Sequence, residues 1–468
     1  MQSEQIAQTT SPKFDPLLAL RGVACLLIVV AHCRSQMGSV LLGTLDVSWL
    51  FINRGAPFVW VFFCLSGYLV GKVFYCHRYR VNRAGIIRFW CNRALRIAPL
   101  YYFVVLVTLP IYPHLLTAQY RETLIRLLTF TYHPYATADV AFYNAPLWAV
   151  STEVNFYLVA PLIYFAANRW LNSQKRLLMA YLSIFLGVFL WKAIAFYTYG
   201  ETINQIQHYY QQIYAPLWSN LDVFLCGFLV NPLILMRQQH RQQGAANRRL
   251  FSVLESPATL VSFSRNTGTT WSTGTTCQTS HPEVSSEGNG SMPLLSPRQQ
   301  PWSKGLAASI AIGYLGLSAY YFFIEAALPV MVSTTIKLFV LPPLLAIATA
   351  YFIFLCEFDH YHQPQPAPLK GWANIIKHPR PYLIARLGVL SYGIYVWHFP
   401  VMLWLSHGIG IDQQAPAAFL QRLTGTLFFS VLIASATHML VERPCARYRR
   451  CLTPKTCPLL SAQKMLQQ

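Results

Sequence analysis

Charge is scarce in this chain. Asp, Glu, Lys and Arg make up 11% of its 468 residues, and the acidic ones number 16 against 36 Lys and Arg. A soluble globular domain carries about 25% charged residues, so a soluble enzyme of this length is excluded; with 54% hydrophobic residues, the chain reads as an integral membrane protein. Paired cysteines are lacking too. The eleven cysteines are scattered without a C-x-x-C motif, and Cys25, Cys64, Cys226 and Cys356 fall inside apolar runs, which indicates neither a disulfide framework nor a zinc site. They read as small packing residues. No run resembles a cleavable signal peptide, because the first follows a polar stretch, contains Arg21 and lacks a small-residue cleavage site. The sequence shows no convincing internal repeat, and no appended soluble catalytic domain is expected from it.

What is present is a series of ten apolar runs, at 16–34, 56–75, 96–113, 146–166, 177–199, 215–236, 306–330, 336–357, 383–407 and 419–441. Each approaches the about 20 residues that a helical crossing needs. This predicts an all-α polytopic membrane protein, about ten transmembrane helices in one bundle, lying in a cytoplasmic (inner) or plasma membrane.

The net charge of +20 is unevenly placed. Segment 76–93 carries Arg78, Arg80, Arg83, Arg88 and Arg93, and segment 167–176 carries Arg169, Lys175 and Arg176; segments 200–214 and 408–418 have neither Lys nor Arg. This alternation predicts that both termini are cytoplasmic. The charge is accounted for by topology and by attraction to anionic membrane lipids, and nucleic-acid binding is not required. Residues 237–304, with "NTGTTWSTGTTCQTS", are too polar to pack a core and read as a flexible cytoplasmic linker. The expected organisation is a cytoplasmic tail (1–15), six spans (16–236), the linker (237–304), four spans (305–441) and a basic cytoplasmic tail (442–468).

An ionisable side chain inside a span is costly and faces the bundle interior, so function is its default reading. In "LALRGVACLLIVVAHC", Arg21 and His32 are eleven residues apart, very close to three whole turns. They therefore share one helix face at depths about 16 Å apart. The fourth run, "PLWAVSTEVNFYLVAPL", places Glu153 in its outer half, at a depth similar to His32. A neutral histidine can take a proton from a hydroxyl, and a nearby carboxylate would fix its tautomer and stabilise the imidazolium. That is chemistry for acyl transfer or hydrolysis. A histidine bonded to a backbone carbonyl at a span end and a glutamate paired with another basic group are the structural alternatives, and periodicity does not choose between them.

Six stretches, "FDPLLALRGVACLLIVVAH", "FFCLSGYLVGK", "RFWCNRALRIAPLYY", "PLWAVSTEVNFYLVAPL", "LGVLSYGIYVWHFPV" and "VERP", occur in the order and at the separations of one family. Together they resemble the membrane acyltransferase-3 family, from about residue 14 to 444. The resemblance implies an enzyme that takes an acyl group, usually acetyl, from cytoplasmic acyl-CoA and delivers it to an acceptor on the far side, commonly a sugar hydroxyl of a carbohydrate or glycolipid. The donor would be acetyl-CoA or another acyl-CoA, and no metal is implied. Arg21 and His32 match the family's spaced Arg and His, Arg93 and Arg96 its R-x-x-R, Ser66, Gly67 and Tyr68 its S-G-[FY], and Ser151 and Glu153 its S-x-E.

These matches suit the residues. Arg93 and Arg96, three apart at the expected mouth of the third span, can share a helix face and hold phosphates, with Pro99 tolerated in a first helical turn. Ser66-Gly67-Tyr68 can line a pocket or pack helices. Ser151 can orient Glu153 or cap exposed backbone. Tyr392, Tyr395 and His398 follow at spacing three and share much of a face, an interior stripe on which Tyr395 is a pocket candidate, and the resemblance makes His398 a pocket residue. In "APLWSNLDVFLCGFL", Asp222 and Gly227 match, whereas Asn220 stands near the family's arginine. The expected chemistry has acyl-CoA bound at Arg93 and Arg96, its arm passing Arg21, and His32, oriented by Glu153, moving the proton or carrying the acyl group. An acyltransferase for lipid or other non-sugar acceptors, or a transporter, are the rival readings.

Overall fold

The computed structural model describes residues 15–51, 54–79, 81–134, 143–199, 209–254, 302–360, 379–411 and 415–452. The first helix, α1 (Pro16–His32), starts where Asp15 accepts hydrogen bonds from the N–H groups of Leu17 and Leu18, both at 3.0 Å, with proline at the first helical position. It is followed by a two-residue-per-strand hairpin, Leu41–Leu42 paired with Leu45–Asp46, turning at Gly43 with φ 62°. The Asp46 carboxylate accepts from Ser48 N–H at 2.9 Å and Gly38 N–H at 2.8 Å; the Ser48 hydroxyl beside it, together with these two N–H groups, holds its pKa below the usual carboxylate value.

The remaining helices are α2 (Ala56–Tyr75), α3 (Arg83–Thr108), α4 (Arg121–Leu128), α5 (Leu147–Trp170), α6 (Gln174–Tyr199), α7 (Leu217–Leu254), α8 (Trp302–Ala319), α9 (Val330–Thr335), α10 (Leu341–His360), α11 (Pro379–His407), α12 (Phe419–Thr437) and α13 (Arg443–Leu452). Among the described residues eight helical stretches are long and apolar enough to cross a membrane, and two shorter apolar ones, Pro16–His32 and Ile310–Ile324, occupy the places of the other two expected runs. The protein is an all-α polytopic membrane protein. Its α5 is inverted relative to a soluble helix: Phe156, Ala160, Tyr164 and Ala167 are buried, while Leu158, Leu162 and Phe165 are exposed as a lipid-facing row.

Two boundaries differ from expectation for local reasons. The third helix begins at Arg83, where Asn82 accepts from Gly85 N–H at 2.8 Å, so Arg93, Arg96 and Pro99 all lie inside one helix and not at its mouth. The polar residues 237–254, expected in the linker, continue α7. Most of that linker, 255–301, lies outside the described residues, as do the tail 1–14 and residues 453–468. The chain forms two units, residues 1–238 with 315–468, and residues 239–314.

Within the first unit, glycines set the closest helix crossings. A Cβ at Gly67 would lie 1.9 Å from Phe224 O, and one at Gly227 would lie 1.9 Å from Cys64 O, so α2 and α7 touch backbone to backbone in both directions. Phe224 stacks on Phe63 and Phe156, each at 4.4 Å between ring centroids, and ties α5 into the same contact. Gly388 does the same for α11 against α1, where an added Cβ would meet Leu18 O at 2.1 Å. Buried thiols serve this packing: Cys25 Sγ donates to Ser391 O at 3.2 Å, and Cys64 Sγ to Ala346 O at 3.6 Å.

Candidate active site

Helix α1 carries Arg21 and His32, and the two residues stand in different surroundings. His32 sits in the last turn, between α11 and the start of α2. Its Nδ1 lies 2.9 Å from Ile28 O and 3.3 Å from His398 Nε2. The Phe399 ring meets it edge-on at 5.7 Å, and Gly55 approaches so closely that an added Cβ would lie 3.3 Å from His32 Cε1. His398 is fully buried, with its Nδ1 2.6 Å from Tyr395 O.

These contacts fix the tautomers by elimination. A carbonyl oxygen only accepts, so His398 Nδ1 carries a proton and a neutral His398 presents Nε2 as an acceptor. His32 Nδ1, facing Ile28 O and that acceptor, must then be the protonated nitrogen. His32 Nε2 is left with its lone pair, which is what a general base or a nucleophile requires.

The turn after His32 is held by a residue that the sequence reading passed over. Arg422, in the first turn of α12 and 1% exposed, donates to Cys33 O at 3.3 Å, Arg34 O at 3.4 Å and Ala415 O at 3.0 Å. Arg34 itself has φ 53°, so the chain leaves α1 through a left-handed residue whose carbonyl points at the guanidinium. An arginine buried in an apolar run was a signal available in "FLQRLTG".

The second cluster surrounds Glu153. Its Oε1 accepts from Ser66 Oγ at 2.6 Å and from Tyr157 OH, and the Ser66 and Tyr157 hydroxyls are 3.3 Å apart. The guanidinium of Arg93, 8% exposed, lies 5.4 Å from the ring centres of both Phe89 and Tyr157. Arg21 is within electrostatic range of Arg96 and Glu153, and Arg93 of the same two residues. Arg21 Nε and Arg93 Nε are both buried without a hydrogen-bond partner. Three guanidiniums thus gather around one carboxylate, an excess of positive charge with unused donors, suited to an anion.

Glu153 therefore does not reach His32, and the expected orienting hydrogen bond is replaced by the one to His398. The reason is an axial offset. Tyr395 OH donates to Pro146 O at 2.8 Å and Asn144 Nδ2 to Val396 O at 2.9 Å, which pins the start of α5 near the level of the histidines. Glu153, seven residues along, is then about 10 Å further down the helix. Arg21 connects the two levels: its guanidinium lies 5.9 Å from the Phe62 ring, which is 6.2 Å from that of Tyr395, itself 5.7 Å from His398.

Other sequence candidates have different partners. Ser151 faces away from Glu153, as a spacing of two on a helix requires, and donates to Leu147 O at 3.3 Å. Gly67 is occupied by the α2–α7 crossing. The Tyr68 ring lies 5.5 Å from Lys72 Nζ, which pairs with Glu357 at 2.7 Å. Asp222 is grouped with Lys192 between α6 and α7. Tyr392 donates to Ile97 O at 2.9 Å and fastens α11 to α3. Among the described residues no three His, Cys, Asp or Glu side chains converge as a metal site.

Comparison with known proteins bears on this arrangement. The O-acetyltransferase OatA of Staphylococcus aureus (strain NCTC 8325 / PS 47) is 26% identical over 172 residues, covering 34% of this chain and 26% of the relative. The peptidoglycan O-acetyltransferase OatA of Listeria monocytogenes serovar 1/2a (strain ATCC BAA-679 / EGD-e) is 24% identical over 200 residues, covering 40% of this chain and 30% of the relative. The chain thus spans less than a third of the length of either relative. No solved structure matches. The acyltransferase domain model of the acyltransferase-3 family matches residues 17–435, a region containing both clusters, and the chain belongs to that family.

Proposed function

We propose that the protein is a transmembrane O-acyltransferase that moves an acyl group, acetyl by analogy with the named relatives, from cytoplasmic acyl-CoA to a hydroxyl of an extracytoplasmic carbohydrate or glycolipid. The observation that carries this reading is the His32–His398 pair, which leaves His32 Nε2 as an unprotonated nitrogen at one end of a helix whose other end reaches the arginine cluster.

In this reading Arg93 and Arg96 hold donor phosphates, with Arg21 as the inner guanidinium of the set and Glu153 setting the local charge balance. The thioester lies by His32. On one route His32 Nε2 takes the acceptor's proton, the alkoxide attacks the thioester carbonyl, the C–S bond breaks, and the departing thiolate receives that proton. On the other, Nε2 itself attacks the carbonyl, the C–S bond breaks and the thiolate departs; the acceptor oxygen then attacks the acyl carbon, the C–N bond breaks, and the acceptor's proton goes to the thiolate. Both routes use the same lone pair, and in both the imidazolium or acyl-imidazole has Nδ1–H directed at Ile28 O and His398 Nε2. A neutral His398 can accept that bond without bringing a second positive charge.

Two measurements test the reading. Surface glycans from cells with and without the gene are compared by mass spectrometry, and a mass difference of one acyl group on a carbohydrate is expected. Purified protein in proteoliposomes is given acetyl-CoA with oligosaccharide from those cells, and CoA release coupled to product is expected. Identical glycans together with no CoA release would overturn it; solute flux without CoA consumption would establish the transporter alternative.

A further inference from the structure

Outside both clusters, α6, α7 and the π-helical turn Ile336–Val340 enclose a cavity of about 310 Å³, lined among others by Phe185, Phe189, Lys192, Asp222, Leu338 and Phe339. Its two ionisable groups are deeply buried, Lys192 at 5% and Asp222 at 3% exposure. Lys192 has a structural task. Its Nζ donates to Leu338 O at 3.3 Å, and the residues four and five places beyond Leu338 are Pro342 and Pro343. Neither has an N–H, so neither an α-turn nor a π-turn can satisfy that carbonyl, and the lysine supplies the missing donor.

The Asp222 carboxylate faces the charge of Lys192 and the backbone N–H groups of Val223 and of its own residue, which still leaves one oxygen unaccounted for. Its Oδ1 is buried without a hydrogen-bond partner, although it lines the cavity. A buried acceptor without a donor calls for an explanation such as a bound molecule. The walls restrict the class of molecule. Leu186 and Phe189 are 58% and 49% exposed on a membrane helix, so the cavity opens toward lipid. One lysine and one aspartate make the site neutral overall, and with Lys192 engaged by Leu338 O an anionic head would meet the carboxylate unfavourably. The volume is at the low end for ligand pockets, enough for a small head and the first part of a chain whose remainder lies in the bilayer.

We propose that this cavity binds the head of a neutral lipid bearing a free hydroxyl, which donates to Asp222 Oδ1 while its chain runs along Phe185 and Phe189. Lys192 is near the end of α6 and Asp222 near the start of α7, so the site lies in the half of the membrane next to segment 200–214. The proposal does not depend on the acyltransferase reading.

The test uses the full-length protein in lipid nanodiscs and a photoreactive diacylglycerol, its hydroxyl methyl ether and the corresponding phosphatidic acid. The diacylglycerol is expected to label peptides containing 185–192 and 338–343 about tenfold more than the ether, the effect of losing one hydrogen bond to a charged group. Asp222→Leu is expected to remove that excess. Equal labelling of wild-type protein by the alcohol and the ether would overturn the proposal whether or not the variant folds. So would undiminished excess labelling of a monodisperse Asp222→Leu protein, or stronger labelling by the phosphatidic acid than by the diacylglycerol.

Discussion

His398 Nε2 lies 3.3 Å from His32 Nδ1, and this contact makes the second histidine the partner that fixes the tautomer of the first. The role commonly filled by a carboxylate is here filled by a neutral imidazole, itself held by Tyr395 O. His32→Ala should lower acyl transfer by roughly 10²-fold or more while acyl-CoA still binds. His398→Gln should lower kcat more than it raises KM for acyl-CoA and should shift the pH–rate profile, because His32 loses its acceptor while the donor site is untouched. An unaltered pH profile in His398→Gln would remove the positioning role, and substantial transfer by His32→Ala would return His32 to a structural one.

For the arginine cluster, Arg93→Ala and Arg96→Ala should each weaken acyl-CoA binding by about tenfold or more through lost phosphate bonds. Arg93→Lys should rescue only in part, because the flat guanidinium that lies against the Phe89 and Tyr157 rings is lost. Isothermal titration with CoA decides this. Unchanged affinity in the double Ala variant would leave the pair as topology signals.

Glu153 sits among Arg21, Arg93 and Arg96, so its charge should matter to the donor site more than to proton transfer. Glu153→Gln keeps the size and an acceptor oxygen for Ser66 and Tyr157 but leaves the guanidiniums unbalanced. The expected result is a change in KM for acyl-CoA of several-fold with a smaller change in kcat. A selective fall in kcat, measured by CoA release, would instead favour a direct role at the reacting atoms.

Arg422→Leu removes the donor for three carbonyls at the end of α1, and the expected loss of stability is on the order of 3 kcal/mol. The melting temperature should fall and turnover should drop with it, because the last turn of α1 carries His32. Arg422→Lys should recover part of the stability. A melting curve identical to wild type would show that the guanidinium is not what holds this turn.

Topology offers a further check. Cysteines introduced at 255–301 should react with a membrane-impermeant maleimide only in permeabilised cells, whereas cysteines at 200–208 should react from outside. The reverse pattern would invert the orientation and the side from which the donor is taken.

The sequence alone determined that this is a helical membrane protein, because a bilayer admits few charges and each crossing demands a long apolar run. For the same reason it exposed Arg21, His32, Glu153 and His398 as candidates: an ionisable group in such a run stands out. It did not determine which candidates meet. Arg21 and His32 could be placed from helix geometry, since both ride one helix, but the depth of Glu153 depended on where α5 starts, and that is set by Asn144 and Pro146 bonding to α11. Asp222 was legible as a residue and not as part of the Lys192 cavity, because that neighbour comes from another helix. Periodicity describes one helix at a time. Pairing between helices is decided by glycine crossings, by carbonyls that prolines leave without donors, and by buried side chains such as Arg422 that satisfy them, and those appear only when the helices are packed.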